Sequence, residues 1–236
     1  MNYENLKFRR FLQPVYELSS NTISHYEMLI RLLNGKTAFP VICELEKQNM
    51  IHLLDLDNLE FALSQFDKNG LPKPVAINIS AKSASNAKFC IQALELLENY
   101  PQFSNMITFE ITETAKIENL DTAKAFLDKA RSLGVKVSAD DFGSGYMSEE
   151  MLVKLPYDNI KLDKCLIETI FSEESQTRIE SLMNSYKDRE VTFTAEFIED
   201  NQTLSKVREM GIEFGQGYYL AKPIPIELAR ENDLTP

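Results

Sequence analysis

The chain has 236 residues, of which 44% are hydrophobic and 26% are charged, as is typical of a soluble globular protein with a sizeable core. Its net charge of −11 argues against nonspecific binding to a nucleic-acid polymer or to an anionic membrane. We find no signal peptide and no long apolar span, and the three cysteines are widely spaced without a C-x-x-C pattern, so we expect a reduced, cytoplasmic protein.

The first half of the chain predicts three strands and a set of helices. Alternating apolar and polar residues predict strands over residues 6–18 and 23–32, with Pro14 at an edge or irregular position because proline cannot donate to a sheet ladder. Residues 39–67 predict two helices broken around residues 50–55. A third strand over residues 75–79 leads into helix that reaches about Tyr100.

The second half alternates strands and helices. Strands are predicted over residues 106–111, 135–139, 159–162, 191–195 and 214–220, and helices over residues 121–133, 148–154, 172–186 and 202–210. This order favours a parallel sheet with crossover helices. Because we find no linker and no low-complexity segment, we expect one domain over residues 1–236, with its core at about residues 6–230.

The sequence KVSADDFGSGY, residues 136–146, ends a predicted buried strand in two adjacent carboxylates, Asp140 and Asp141. Successive side chains of a strand point to opposite faces, and adjacent aspartates repel each other, so a nearby divalent cation would explain the pair. Turn chemistry alone also explains Asp and Gly residues at such a position. The pair by itself does not decide between these two readings.

Other predicted strands also carry or end in polar or charged side chains, and the carboxyl ends of parallel strands are where α/β folds place their chemistry. An oxygen-only ligand set suits Mg²⁺ or Mn²⁺ rather than structural zinc, and two such ions bridged by Asp140 would clamp a phosphodiester. Lys161 either acts on the attacking water or simply compensates the carboxylates, and Arg31 is either a surface ion-pair partner or an anion clamp. The candidate metal ligands are Glu27, Asn78, Glu110, Asp140, Asp141 and Glu196.

Several motifs in order make the chain resemble the EAL-domain family of cyclic-di-GMP phosphodiesterases. They are Gln-Pro at 13–14, EMLIR at 27–31, NIS at 78–80, EITE at 110–113, DDFGSGY at 140–146, KLD at 161–163, AEFIE at 195–199 and QGY at 216–218. The resemblance implies a (β/α)8 TIM-like barrel whose first strand runs antiparallel to the others. It also implies Mg²⁺- or Mn²⁺-dependent hydrolysis of cyclic-di-GMP to linear pGpG.

The resemblance also implies a role for each matching residue. Glu27, Asn78, Glu110 and Asp140 resemble ligands of a first metal, and Asp140, Asp141 and, through water, Glu196 resemble those of a second. Lys161 resembles the residue that positions or activates the water. Gln13, Leu29, Arg31 and Gln216 resemble substrate contacts. Glu113 and Glu199 resemble supporting residues, with Glu113 coupling metal binding to a homodimer contact.

The sequence departs from the family pattern at Met28, Leu32, Phe197 and residues 147–150. Phe197 could crowd the pocket, but every candidate ligand and Lys161 are present, which favours a working enzyme. The alternatives are a catalytically silent cyclic-di-GMP receptor that relays to a protein partner, a scaffold that binds no nucleotide, and an unrelated Mg²⁺ barrel of the enolase type. With no sensor domain in the sequence, we expect regulation by expression, by oligomerisation or by a separate protein.

Overall fold

The computed structural model describes residue 3 and residues 6–69, 71, 73–112, 117–144 and 152–229. The strands are β1 (Phe8–Glu17), β2 (Thr22–Leu32), β3 (Val75–Ser80), β4 (Ile107–Thr112), β5 (Lys136–Phe142), β6 (Asn159–Leu162), β7 (Thr192–Ala195), β8 (Phe214–Gly215) and β9 (Ile224–Pro225). The helices are α1 (Phe39–Lys47), α2 (Ile51–Asn69), α3 (Ala81–Ala84), α4 (Ala87–Asn99), α5 (Leu120–Ser132), α6 (Lys164–Ile167), α7 (Glu173–Ser185), α8 (Asn201–Glu209) and α9 (Ile226–Ala229). A 3₁₀ helix covers Pro101–Met106.

The strands form a closed barrel. Strands β2 to β8 run parallel in chain order, each paired with the next. Strand β1 closes the ring because it pairs antiparallel with β2 along one edge and with β8 along the other edge, where β9 also pairs with it at Phe11 and Leu12. The prediction of a (β/α)8-type barrel with an antiparallel first strand is therefore confirmed.

Alternation along each strand divides the side chains between the barrel interior and the helical layer. In β4, Phe109 and Ile111 point outward and are fully buried beneath the helices, whereas Glu110 points into the barrel. The Phe109 ring stacks on Phe126 of α5 at 5.7 Å, and Phe126 in turn contacts Phe89 of α4. Each such ring contributes about 2–3 kcal/mol by leaving water. The apolar core thus lies outside the barrel, between strands and helices.

Side-chain caps fix where several helices begin. The Asn86 side chain accepts from the backbone N–H groups of Lys88 and Phe89 at the start of α4. Asn119, Ser172 and Asp200 cap α5, α7 and α8 in the same way. These caps satisfy N–H groups that the first helical turn leaves unpaired, which fixes the residue at which each helix begins.

The prediction of a last strand over residues 214–220 is wrong, since β8 ends at Gly215. After β8 the backbone passes close to the backbone of Ile198, and a Cβ atom on Gly217 would lie 2.6 Å from the Ile198 carbonyl carbon. Glycine therefore marks a close backbone approach after the strand. Pro14 lies between the β9 contacts at Phe11–Leu12 and the β8 contacts at Tyr16–Glu17, in an irregular stretch as expected.

The predicted helix over residues 148–154 falls mostly outside the described residues. None of the helices in the described ranges combines the length and the apolar character that a membrane crossing requires.

Candidate active site

Lys161 lies at the centre of the carboxyl-terminal mouth of the barrel. Its side chain points inward from β6 and is only 2% exposed. The ammonium Nζ lies 2.8 Å from Asp140 Oδ1 and 2.8 Å from Glu196 Oε1. It also lies 3.2 Å from Glu110 Oε2 and 3.5 Å from Glu27 Oε2. Four strand ends thus converge on one buried positive charge.

Glu27 is held by two amide side chains. Asn78 Nδ2 donates to Glu27 Oε1 at 3.2 Å, and Gln216 Nε2 donates to Glu27 Oε2 at 2.6 Å. The barrel brings these residues together because β2 and β3 are parallel neighbours, and Gln216 follows β8 on the far side of β1. The carboxylate is therefore oriented before any ligand binds.

A bulge in β5 brings the two adjacent aspartates to the same place. The register with β6 shifts between Ala139 and Phe142, and Asp141 adopts a left-handed backbone with φ 57°. Oxygen atoms of Asp140, Asp141 and Glu196 consequently lie within 4.8 Å of one another. The expectation that the two aspartates point to opposite faces is wrong here, because it assumed a regular strand.

The ionisation of the cluster reflects five carboxylates facing one lysine. Burial, with repulsion from Asp140 and Glu27, raises the pKa of Glu196 to about 8 despite Lys161. Repulsion by Asp140, with burial, raises the pKa of Asp141 to about 7. Burial also raises the pKa of Glu110, whereas Lys161 and the two amides outweigh burial and lower the pKa of Glu27.

Lys161 itself stays protonated. Burial would lower its pKa, but Asp140, Glu110 and the other two carboxylates raise it well above the ordinary value for a lysine. The cluster holds more acidic than basic groups, since one ammonium faces five carboxyl groups. Closely spaced, buried carboxylate oxygens with no thiolate or imidazole among them fit a hard divalent cation.

A cavity of about 260 Å³ adjoins the cluster on the side of α1 and α2. Leu29 and Arg31 line it from β2, and Asp140 lines it from β5. Its wall on α1 and α2 combines apolar side chains with polar ones: Ile42, Ile51 and Leu54 beside Glu46, Asp55 and Asn58. Leu29 and Arg31 thus line a cavity beside the cluster, and their role as substrate contacts stays a prediction.

The two predicted glutamine contacts, Gln13 and Gln216, are buried near Glu27 and do not line that cavity. Gln13 pairs opposite Glu27 across the β1–β2 ladder, and its Nε2 donates to the Ala221 carbonyl at 3.2 Å. Gln216 is 4% exposed, and its Oε1 has no hydrogen-bond partner among the described residues. That buried acceptor faces the same part of the barrel as Glu27.

Three further site predictions have different outcomes. Glu113 lies outside the described residues. Glu199 is exposed and makes no ion pair within the described part of the chain, so its supporting role stays a prediction. Phe197 has a left-handed backbone with φ 54°, and the Lys164 ammonium lies 4.0 Å from the centre of its ring.

The sequence analysis missed a buried polar network behind Asn78. Ser80, at the end of β3, donates from Oγ to Glu46 at 2.9 Å and from its backbone N–H to Asp55 at 2.9 Å. Burial raises the pKa of Asp55 to about 7. The available signal was an acidic residue within the apolar stretch Leu53-Leu54-Asp55-Leu56 of α2. The network ties α1 and α2 to the strand that carries Asn78.

Comparisons with known proteins agree with this fold. The family model described as EAL domain matches residues 2–223. The cyclic di-GMP phosphodiesterase PdeA of Borreliella burgdorferi is 31% identical over 229 residues, which cover 93% of this chain and 34% of that protein. The cyclic di-GMP phosphodiesterase PdeF of Escherichia coli is 27% identical over 94% of this chain and 31% of that protein. The chain thus spans about a third of the length of these two relatives.

Solved structures match over nearly the whole chain. An EAL domain protein from Listeria monocytogenes has 27% identity and a TM-score of 0.82, covering 95% of this chain and 91% of that one. A standalone EAL protein from Vibrio cholerae, solved with c-di-GMP bound, has 28% identity and a TM-score of 0.79, with 93% of both chains covered.

Proposed function

Because the chain belongs to the EAL domain family, we propose that it is a phosphodiesterase that hydrolyses cyclic di-GMP to linear pGpG with the help of divalent metal ions. Relatives named as cyclic di-GMP phosphodiesterases support this activity. The catalytically silent receptor is the second candidate, and it draws on the strained Phe197 beside Glu196.

The observation that carries the proposal is the convergence of five carboxylates and Asn78 around Lys161 at one mouth of the barrel. Structural ion pairs are usually balanced, because a buried, uncompensated charge is costly. Here the carboxylates outnumber the lysine five to one. Such an excess is suited to binding cations and, with them, a phosphodiester.

The proposal assigns the cluster to two ions, which would be Mg²⁺ or Mn²⁺. Glu27, Asn78, Glu110 and Asp140 would hold one ion, and Asp140, Asp141 and Glu196 would hold the other. Two divalent ions in such a site neutralise charge on a phosphoryl group and lower the pKa of water.

Lys161 would position the attacking water rather than deprotonate it. Its surroundings keep the ammonium protonated, so it can donate hydrogen bonds and offset negative charge but has no lone pair to accept a proton. The Glu196 carboxylate, which lies 2.8 Å from Lys161 Nζ, would take the proton of that water.

The cavity beside the cluster would receive one nucleoside of the substrate. The mixture of apolar and polar side chains on its α1 and α2 wall suits a base, and Arg31 on its β2 side would bind the second phosphate. Leu29 would contact the nucleotide from β2, while Gln13 and Gln216 would contact it beside Glu27.

Incubation of the purified protein with cyclic di-GMP and Mn²⁺ or Mg²⁺, followed by chromatography, tests the proposal. We expect linear pGpG from the wild type and from Lys164→Ala, whose side chain is exposed on α6, and no turnover from Lys161→Ala. Bound but uncleaved nucleotide would favour the silent receptor. No binding would overturn both candidates.

The predicted homodimer, the separate regulatory protein, the single domain and the cytoplasmic location stay predictions. Glu113 and residues 147–150, on which the dimer prediction rests, lie outside the described residues.

A further inference from the structure

The barrel interior beneath the active site is polar. The interior of a (β/α)8 barrel is usually filled by layers of Val, Ile and Leu. Here the inward positions below the cluster include His25 of β2, Thr108 of β4, Ser138 of β5, Asn159 of β6 and Thr192 of β7. This interior cannot pack as an apolar core.

These side chains surround a cavity of about 340 Å³ at the amino-terminal mouth of the barrel. Lys136 and Glu190 line it where the strands begin, and Glu110 lines it at the inner end. Glu110 Oε2 is 3.2 Å from Lys161 Nζ. The cavity therefore extends from the mouth opposite the active site to a residue that contacts the catalytic lysine.

The cavity walls offer hydrogen-bonding groups along this path. Asn159 Oδ1 accepts from Ser138 at 3.0 Å and from Thr194 at 3.2 Å, and its Nδ2 donates to Thr192 at 3.0 Å. The His25 ring adds a further polar group to the wall, and its Nδ1 lies 3.2 Å from the Ser24 hydroxyl oxygen. Although Pro74 and Phe214 also line the cavity, a cavity of this size with these polar groups has room for on the order of ten water molecules.

We propose that this cavity is a water route from the amino-terminal mouth to Glu110 and Lys161. The inference rests on the proposed hydrolysis, in which each turnover adds one water across a phosphodiester: the hydroxyl joins phosphorus and the proton goes to the departing ribose oxygen. A nucleotide seated at the carboxyl-terminal mouth excludes bulk water there. The route renews the consumed water from the opposite side.

Substitutions that narrow the route test it through kinetics. Thr108→Ile and Ser138→Val should each lower kcat by about tenfold and leave KM for cyclic di-GMP within about twofold, because they obstruct water and not the nucleotide. Thr108→Ser keeps the hydroxyl group and should keep the wild-type kcat. Val137→Ile is the matched control, since it adds a methyl group to the outer face of β5. Unchanged kcat in both narrowing variants, with wild-type circular dichroism, would overturn the route.

A crystal structure that shows ordered water provides a readout that does not depend on turnover. We expect hydrogen-bonded water from Lys136 to Glu110 in the wild type and an interrupted chain in Thr108→Ile. A dry cavity in the wild type would overturn the route even in an active enzyme. If the protein binds cyclic di-GMP without cleaving it, the proposed function fails, and the water chain alone decides whether the route exists.

Discussion

Replacing Lys161 with methionine removes the charge on which the cluster depends and keeps most of the side-chain volume. The ammonium is 2% exposed and lies between 2.8 and 3.5 Å from four carboxylates. Removing one partner of a buried ion pair costs about 3–5 kcal/mol, because the remaining charge is left buried without compensation. We expect Lys161→Met to lose that much unfolding free energy at alkaline pH in the absence of metal.

The loss should shrink at acidic pH. A carboxyl group whose pKa is raised on folding stabilises the folded state at low pH, and this contribution is lost as the pH rises through the raised pKa. The pKa values of Asp141 and Glu196 are already raised to about 7 and about 8, and removing Lys161 raises them further. At pH 6 these groups can take up protons in place of the missing ammonium.

Urea denaturation with EDTA present, at pH 6 and at pH 9, measures both effects. Lys164→Met is the matched control because that lysine is half exposed. Loss of its ion pair with Glu168, at 3.3 Å, and of its contact with the Phe197 ring should together cost no more than about 2 kcal/mol. Equal losses for the two variants at pH 9 would refute the reasoning that Lys161 neutralises the cluster.

Three further predictions test other parts of the site. Glu27→Gln should lower kcat/KM at least about 100-fold, since outer partners of metal ligands alone cost 10–100-fold, and near wild-type turnover would contradict its ligand role. Burial raises the pKa of Asp55 from its ordinary 3.8 to about 7, so the unfolding free energy should fall by up to about 4 kcal/mol as the pH rises from 3.8 to 7. Urea denaturation over this pH range should show a smaller fall for Asp55→Asn. An equal fall in the wild type and the variant would contradict the raised pKa. Gly217→Ala should lower the unfolding free energy by several kcal/mol in thermal unfolding, because the added Cβ meets the Ile198 backbone. Gly211→Ala has open space around the added Cβ and only the strain of φ 80°, so it should cost about 1–2 kcal/mol. Similar losses for the two variants would refute the steric argument.

The strand and helix periods of the sequence predicted a parallel sheet with crossover helices, and the resemblance to the EAL-domain family added the closed barrel. Strand β6, predicted at residues 159–162, agrees with the structure. The other strand ends from β2 to β7 differ from the prediction by no more than one residue, except that β5 continues to Phe142. The caps at Asn86 and Asn119 explain the sharp starts of α4 and α5. These features depend on local chemistry, which a single sequence contains.

The features that the sequence did not predict depend on contacts between distant residues. The bulge that turns Asp141 toward Glu196 is set by the register between β5 and β6. The early end of β8 follows from the approach of Gly217 to residue 198. The role of Lys161 as the centre of the cluster required four strands to be closed into one ring.

Manganese anomalous diffraction from crystals of this protein with cyclic di-GMP tests the central claim most directly. The account predicts anomalous density within coordination distance of Glu27, Asn78, Glu110 and Asp140, with a second peak beside Asp141. Full manganese occupancy elsewhere in the crystal, with none at this mouth of the barrel, would contradict it.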